Sequence, residues 1–272
     1  MTGSLLCMTV FELAGLVRRR WYLITVALGI AAVAIAAPLA ARETDLGARA
    51  DAYRASAGSL LLVGGLVLAL ALGATTIARG GDSGHLGLLV ASGARRAGVA
   101  AARMLARVGA LAVAFAVWCV ALQAGSALIG RGVDGPLAVH VAAAAQTHTL
   151  VLLAAAATST LLGPMVSAFV GLSVYISAQA VVNVETAADL GRLGAWSRVA
   201  HVAYNLLPRA VLSPMIVDMQ NRGEGGPSAP RFEINEVVIP LPAAGAGTVL
   251  WTLFWCLLLG ALCIAGMRRR AI

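Results

Sequence analysis

Lysine is missing from this chain of 272 residues, and all 20 of its basic residues are arginine. A phosphate-binding loop of the form G-x-x-x-x-G-K-[ST] needs its lysine to contact the β- and γ-phosphates, so the chain cannot carry one. The same absence excludes Schiff-base catalysis on a lysine. If ATP drives this protein, a different polypeptide hydrolyses it.

Charge of either sign is scarce as well. Only 12% of the residues are charged, 60% are hydrophobic and the mean hydropathy is +0.88, whereas about a quarter of a soluble domain is charged. The composition predicts a polytopic membrane protein. The formal net charge of +8 does not indicate nucleic-acid binding, because the arginines cluster at the ends of apolar segments as topology determinants do.

Cysteine is also rare, and its placement excludes two further classes of site. The four cysteines are Cys7, Cys119, Cys256 and Cys263. None falls in a predicted external loop, so no disulfide framework is expected, and no metal-ligand spacing occurs. We interpret them as small apolar residues that fill space between helices.

Six apolar segments are long enough to cross a bilayer as helices. Gly163 and Pro164 divide one long uncharged run into two of them. With both termini in the cytoplasm, the inner side carries 11 arginines and 2 acids and the outer side 9 arginines and 10 acids, as the positive-inside rule requires. The fold is therefore predicted to be all-α, with six transmembrane helices at about 21–41, 58–77, 108–129, 137–161, 164–184 and 243–267 in a single domain, 21–272.

Two flanking regions complete this layout. Residues 1–20 show helical spacing of apolar residues, with Glu12, Arg18, Arg19 and Arg20 as the polar component, and predict an amphipathic helix on the cytoplasmic surface. The segment 185–242 is predicted to be external, with one or two short helices followed by an extended stretch.

The loop 79–107 is the strongest lead to function. It contains five arginines and a single acid, Asp82, so it is predicted to be cytoplasmic. Its middle, His85 to Ser92, is apolar and too short to cross a bilayer, so it is expected to lie at the interface and to dock on a soluble partner. Asp82 and His85 are three residues apart; a helix N-cap is favoured over a metal or catalytic pair.

Polar residues inside the spans mark the candidate internal sites. His140 and His148 on span four, with Gln146, Thr147 and Thr149, favour interhelical hydrogen bonding over catalysis or metal binding. A second set indicates either helix packing or a translocation path; it comprises Tyr175, Gln179 and Asn183 at i, i+4 and i+8 on span five, with Thr75 and Thr76 on span two.

The layout resembles that of the type-2 ABC transporter permeases. The N-terminal stretch FELAGLVRRRWYLITVALGI looks like the start of that family, and residues Gly84–Arg96 lie where its cytoplasmic loop has a GTLxxLLxxPVSR pattern. The order of the spans, the long outer segment and the basic C-terminus also agree. The chain departs from the pattern by lacking the proline before the Ser-Arg pair and the lysine that enters span three.

This resemblance implies an ATP-driven transporter, expected to be an exporter, built from two six-span subunits in the plasma membrane of a prokaryote. Its partners would be a cytoplasmic ABC ATPase subunit, which holds the ATP and magnesium, and a second permease copy or a homologue; this chain would hold no cofactor and have no catalytic site. The element that couples the ATPase to the spans would be Gly84 to Ala94, with Arg95 and Arg96 as further contacts. The residues assigned to it are Gly84, His85, Leu86, Leu88, Leu89, Ser92, Arg95 and Arg96.

Two other functions remain open from the sequence. The first is an intramembrane enzyme, such as a protease or a lipid transferase, that uses His140 and His148. The second is a membrane scaffold or channel without ATP-driven transport.

Overall fold

The computed structural model describes residues 2–76, 96–189, 193–213, 233–234, 237–238 and 244–269. Eight α-helices occur in these ranges: α1 (Thr2–Val17), α2 (Arg20–Ala40), α3 (Leu46–Ala74), α4 (Arg96–Leu128), α5 (Gly135–Ser159), α6 (Pro164–Asp189), α7 (Ser197–Leu206) and α8 (Ala246–Arg269). A 3₁₀ turn, Gly194–Trp196, precedes α7. Two strands of two residues each, β1 (Glu233–Ile234) and β2 (Val237–Val238), pair antiparallel.

Six of these helices are long and apolar enough to span a membrane, namely α2 to α6 and α8. The prediction of an all-α, multi-pass membrane protein is therefore confirmed. The division at Gly163 and Pro164 is confirmed too, since α5 ends at Ser159 and α6 begins at Pro164.

The helices extend beyond the apolar segments that predict them. Helices α3 and α4 each begin 12 residues before the predicted spans, at Leu46 and Arg96, so residues 46–54 and 96–107 are helical where the sequence predicted loops. Asp45 explains the first case, because its side chain accepts a hydrogen bond from the Ala48 N–H at 2.9 Å and caps α3. Helix α6 likewise continues to Asp189, within the segment predicted to be external.

Two ends of the bundle are named here after the predicted topology. The inner end is where α3 ends and α4 begins, and the outer end is where α4 ends and α5 begins. A bidentate ion pair fixes the outer end: the Nε and Nη2 of Arg54 donate to the two carboxylate oxygens of Asp134 at 2.9 and 3.0 Å. Asp134 also accepts a hydrogen bond from the Leu137 N–H at 3.4 Å and so caps α5.

The ion pair decides the protonation of Asp134. Burial by itself raises the pKa of this carboxyl, but the hydrogen bond and positive charge of Arg54 outweigh burial and hold the pKa below its ordinary value of 3.8. Arg54 and Asp134 are both buried, and a buried charge is tolerated when it is paired and hydrogen-bonded in this way.

Helix α5 is the centre of the bundle and packs against α3, α4, α6 and α8. Its apolar window is the least hydrophobic of the six, with a mean hydropathy of 1.5, and yet it is the most enclosed, with 61% of residues buried. In α8 only 17% of the corresponding window is buried. Helix α5 can carry polar side chains because protein, rather than lipid, surrounds it.

Glycines allow α3 and α5 to approach closely, as small residues do between membrane helices. A Cβ atom at Gly73 would lie 2.5 Å from the Leu152 carbonyl oxygen and 2.8 Å from the Ala155 Cβ. One at Gly65 would lie 3.0 Å from the Nε2 of His148. The two helices run parallel. Both contacts require glycine, because any larger residue at either position would clash with α5.

Helix α1 confirms the predicted N-terminal helix, but its polar residue does not face outward. It packs along α4, with Leu16 buried and Glu12 directed at Arg103. The side chains exposed on its other side are apolar: Leu6, Val10 and Phe11.

Candidate functional site

Most of the predicted coupling element lies outside the described residues. This holds for Gly84, His85, Leu86, Leu88, Leu89, Ser92 and Arg95, while Arg96 is the first residue of α4. The structure does describe the chain on either side of the element: α3 with the two residues after it, to Thr76, and α4 from Arg96.

Arg107 joins these two flanking helices at the inner end. Its Nη1 donates to the Leu72 carbonyl at 2.8 Å and to the Thr75 hydroxyl at 3.0 Å, and its Nη2 donates to the Thr75 carbonyl at 2.9 Å. The last carbonyls of a helix lack partners within the helix and carry partial negative charge. The Arg107 guanidinium therefore caps the C-terminal end of α3 from within α4.

Thr75 and Thr76, predicted as possible path residues, take part in this helix end. The Thr75 hydroxyl donates to the Ala71 carbonyl at 2.7 Å and accepts from Arg107. The Thr76 hydroxyl is buried and contacts the carbonyls of Leu72 and Gly73 at 3.0 and 2.7 Å.

One helical turn before Arg107 on α4, Arg103 forms an ion pair with Glu12 of α1. The Nε of Arg103 lies 3.2 Å from Glu12 Oε1, and the two side chains are 4% and 24% exposed. Arg103 and Arg107 are four residues apart and so lie on one face of α4. We call this pair of contacts, Arg103 with Glu12 and Arg107 with the end of α3, the inner clamp. Arg18, Arg19 and Arg20 are exposed at the junction of α1 and α2.

The predicted polar line on α6 faces the interior of the bundle. Gln179 Nε2 donates to the Tyr175 hydroxyl at 3.4 Å, and Asn183 Nδ2 donates to the Gln179 carbonyl at 3.2 Å. The Asn183 Oδ1 is buried and has no hydrogen-bond partner within the described ranges.

The structure does not bring this line together with Thr75 and Thr76. Gly171 on α6 lies level with Leu70 on α3, and the two helices run antiparallel. Tyr175 and Thr75 therefore lie on opposite sides of that level, about 13 Å apart along the bundle at 1.5 Å per residue.

His148 lies at the centre of the molecule, between the rings of Phe115 and Tyr175 at centroid distances of 5.6 and 5.8 Å. Its Nδ1 lies 2.6 Å from the Ala144 carbonyl and its Nε2 lies 3.4 Å from the Leu62 carbonyl on α3. The shorter contact assigns the proton of a neutral ring to Nδ1, since a carbonyl only accepts. With the proton there, Nε2 cannot donate to the Leu62 carbonyl, so the hydrogen bond of this ring stays within α5 and its contacts between helices are those with the Phe115 ring of α4 and the Tyr175 ring of α6.

His140 is held separately. Its Nδ1 contacts the Ser213 hydroxyl at 2.9 Å, and its Nε2 is buried without a hydrogen-bond partner in the part of the chain that the structure describes. The separation of eight positions between His140 and His148 places them about 12 Å apart along α5. The two histidines thus serve different contacts and do not form one site.

Residues 207–213 form a feature that the sequence did not predict. After α7 the chain is extended and enters the bundle, where Ala210, Leu212 and Ser213 are buried. The Ala210 N–H donates to the Ala178 carbonyl of α6 and the Val211 N–H to the Thr147 hydroxyl of α5, both at 3.1 Å. We call this stretch the re-entrant segment.

The depth of the re-entrant segment follows from its partners. Thr147 lies 12 residues, about 18 Å, from the start of α5, and Ala178 lies 11 residues, about 16 Å, from the end of α6. Backbone without helical hydrogen bonds is tolerated at this depth only where protein or a water-filled cavity surrounds it. Here α5, α6 and α8 supply the partners, including the Thr252 hydroxyl, which donates to the Arg209 carbonyl at 2.9 Å.

A cavity of about 330 Å³ adjoins the re-entrant segment. Tyr204, Arg209 and Thr248 contribute polar groups to its wall. The Arg209 guanidinium stacks 3.6 Å above the Tyr204 ring and donates from Nε to the Tyr204 carbonyl at 2.8 Å. Pro208, which ends α7, and the apolar run at 210–212 are the sequence signals that could have predicted a buried segment here.

The chain matches no protein-family model, and no curated protein is similar enough in sequence to count as a match. What the fold and the contacts define is the class: an all-α membrane protein with six apolar helices of spanning length.

Proposed function

We propose that this chain is the permease subunit of an ATP-driven transporter of the type-2 ABC class, working as an exporter in the plasma membrane of a prokaryote. It acts with a cytoplasmic ATPase subunit and with a second copy or a homologue of itself. The ATPase subunit binds ATP and magnesium, since a chain without lysine has no phosphate-binding loop of its own.

The inner clamp is the observation that carries this proposal. The basic, glycine-punctuated residues 79–95 connect α3 to α4, and Arg107 fastens the end of α3 to α4 through three hydrogen bonds. Through Arg103, the same stretch of α4 is fastened to α1. A force applied to the loop is therefore passed to three helices together, as a lever between an ATPase and the membrane requires.

In this mechanism, closure of the two ATPase subunits moves the loop, and the clamped helices move with it. The bilayer-facing helices α2 and α8, which are the least buried, rearrange around a path that alternates between the two sides. The polar line Tyr175, Gln179 and Asn183 is our candidate for part of that path. It supplies hydrogen-bonding groups within the bundle interior.

Co-purification tests the proposal. The chain is expressed together with its genomic neighbours and purified in mild detergent, and an ATPase subunit carrying a phosphate-binding lysine is expected to copurify. Replacing Leu86, Leu88 and Leu89 together by glutamate is expected to release that subunit, because three charges cannot enter an apolar docking groove.

Val133→Glu is the matched control. Val133 is 87% exposed in the turn between α4 and α5, on the predicted outer side, and its replacement is expected to leave the complex intact. Retention of the ATPase by the triple variant would refute the coupling assignment. A chain that purifies without any ATPase would refute the proposed function.

A further inference from the structure

Two carboxylates and an imidazole meet where α6 ends and α7 begins. Glu185 and Asp189 lie four residues apart on α6, so they share one face of its last turns. His201 of α7 lies against them, with its Nδ1 2.9 Å from Glu185 Oε1. One ligand-type atom from each of the three side chains lies within 4.8 Å of the other two.

This arrangement concentrates negative charge where a helix tolerates it least. Like charges at i and i+4 repel each other, and the C-terminal end of a helix carries a partial negative charge of its own. Among the residues that the structure describes, the imidazole of His201 supplies the hydrogen bond that offsets this charge. A cation bound between the two carboxylates would relieve both effects.

A second observation points to a missing partner. Glu185 Oε2 is buried and has no hydrogen-bond partner among the residues that the structure describes. A buried carboxylate oxygen without a partner is unfavourable, because it has lost hydration without gaining a hydrogen bond. The neighbouring Oε1 is satisfied by His201, so the free oxygen is available as a ligand within the cluster.

We propose that Glu185, Asp189 and His201 bind one divalent transition-metal ion, with Zn²⁺ as the best match. An imidazole nitrogen with two carboxylate oxygens suits Zn²⁺, whereas Mg²⁺ and Ca²⁺ prefer oxygen ligands throughout. Three protein ligands leave one position of a tetrahedral ion for water or for a ligand. With bonds of about 2.0–2.1 Å the ligand atoms must lie about 3.3 Å apart, which requires a small inward rotation of the exposed Asp189.

The site would fasten α7 to the end of α6, at the base of the chain that leads into the re-entrant segment. It does not depend on the proposed transport function, because each of its ligands belongs to this chain. Its failure in a binding experiment would leave the transporter proposal untouched.

Metal binding to the purified full chain tests the site. The protein is prepared with an affinity tag that contains no histidine, stripped with a chelator and titrated with Zn²⁺ against a chelating dye. One Zn²⁺ per chain is expected. Glu185→Gln, Asp189→Asn and His201→Gln are each expected to weaken the affinity at least about tenfold, since even indirect partners of a metal site cost 10- to 100-fold.

Two matched controls remove the same chemical groups elsewhere. Glu43→Gln alters an exposed carboxylate at the end of α2, and His85→Gln removes a histidine from the loop 79–107; both are expected to keep the wild-type affinity. X-ray absorption of the zinc-loaded wild type is expected to show nitrogen and oxygen ligands at about 2.0–2.1 Å, without sulfur at about 2.3 Å.

The proposal is overturned if the wild type retains no Zn²⁺, if sulfur ligands appear, or if either control loses as much affinity as the cluster variants. It is also overturned if all three cluster variants bind Zn²⁺ as the wild type does. Size-exclusion chromatography identifies any variant that does not fold. If the cluster variants do not fold, the ligands seen in the X-ray absorption spectrum of the wild type decide whether the proposal stands.

Discussion

Replacing Arg107 by methionine tests the inner clamp directly. The substitution keeps an unbranched side chain of similar length but removes three hydrogen bonds of 2.8–3.0 Å, and it leaves the carbonyls of Leu72 and Thr75 without that partner. Loss of the partner of the Thr75 carbonyl costs about 1–3 kcal/mol, and the Leu72 carbonyl, which keeps the Thr76 hydroxyl, loses one hydrogen bond worth about 0.5–1.5 kcal/mol. The variant no longer has to bury a charged guanidinium, and this gain offsets part of the cost. We therefore expect a loss of about 2–4 kcal/mol in the free energy of unfolding.

Thermal unfolding in detergent, followed by tryptophan fluorescence, measures this loss. At about 2 °C per kcal/mol for a chain of this size, Arg107→Met is expected to lower the Tm by about 4–8 °C. Arg107→Lys should fall between the wild type and methionine, because an ammonium keeps the charge but cannot present the forked donors of a guanidinium.

Arg103→Met is the matched control on the same face of α4. Its partner Glu12 is 24% exposed and can be rehydrated, so the expected loss is only about 1 kcal/mol. If Arg107→Met costs no more than Arg103→Met, the cap on α3 does not hold the two helices together and the clamp argument is wrong.

Three further predictions concern packing, charge and the re-entrant segment. Gly73→Ala should cost about 1–3 kcal/mol, because the new methyl meets the α5 backbone, whereas Gly98→Ala, with nothing within 4 Å, should be neutral or stabilising in the same thermal assay. The pKa of Asp134 is lower in the folded than in the unfolded protein, so its contribution to the free energy of unfolding is complete above pH 3.8 and is lost on further acidification. Asp134→Asn should therefore flatten the profile of Tm against pH in that acidic range. Thr147→Val removes the acceptor of the Val211 N–H. Loss of this hydrogen bond, at about 1.4 kcal/mol, should make hydrogen exchange of residues 207–213 about tenfold faster. Thr147→Ser keeps a hydroxyl and should leave the exchange rate unchanged.

The six spans could be predicted because hydropathy and length alone determine them. The ends of the helices could not, because they depend on individual side chains: Asp45 starts α3 well before its apolar run, and Arg107 closes it from another helix. The predicted spans contain no acidic residue and no arginine. The complete helices include Arg54, Arg103 and Arg107, all buried.

The internal polar residues illustrate the same limit. Sequence alone predicted that His148 hydrogen-bonds between helices, but its hydrogen bond stays within α5, and what reaches α4 and α6 is its contact with the Phe115 and Tyr175 rings. It could not predict that His140 and Thr147 hold an extended segment more than 60 residues away in sequence, since tertiary partners leave no local pattern. The coupling function of residues 84–96 remains a prediction.

The enclosed position of α5 has a consequence for how the chain is made. Two of its polar side chains contact residues synthesised much later: His140 Nδ1 contacts the Ser213 hydroxyl, and Gln146 donates to the Val249 carbonyl. At about 5–20 residues per second, the interval between the two members of each pair is on the order of 4–20 s. During that time the nascent α5 depends on α3 and α4, which emerge first, to shelter its imidazoles and amide from lipid, so slowing or truncating translation after α6 should leave an insertion intermediate open to quality-control proteases.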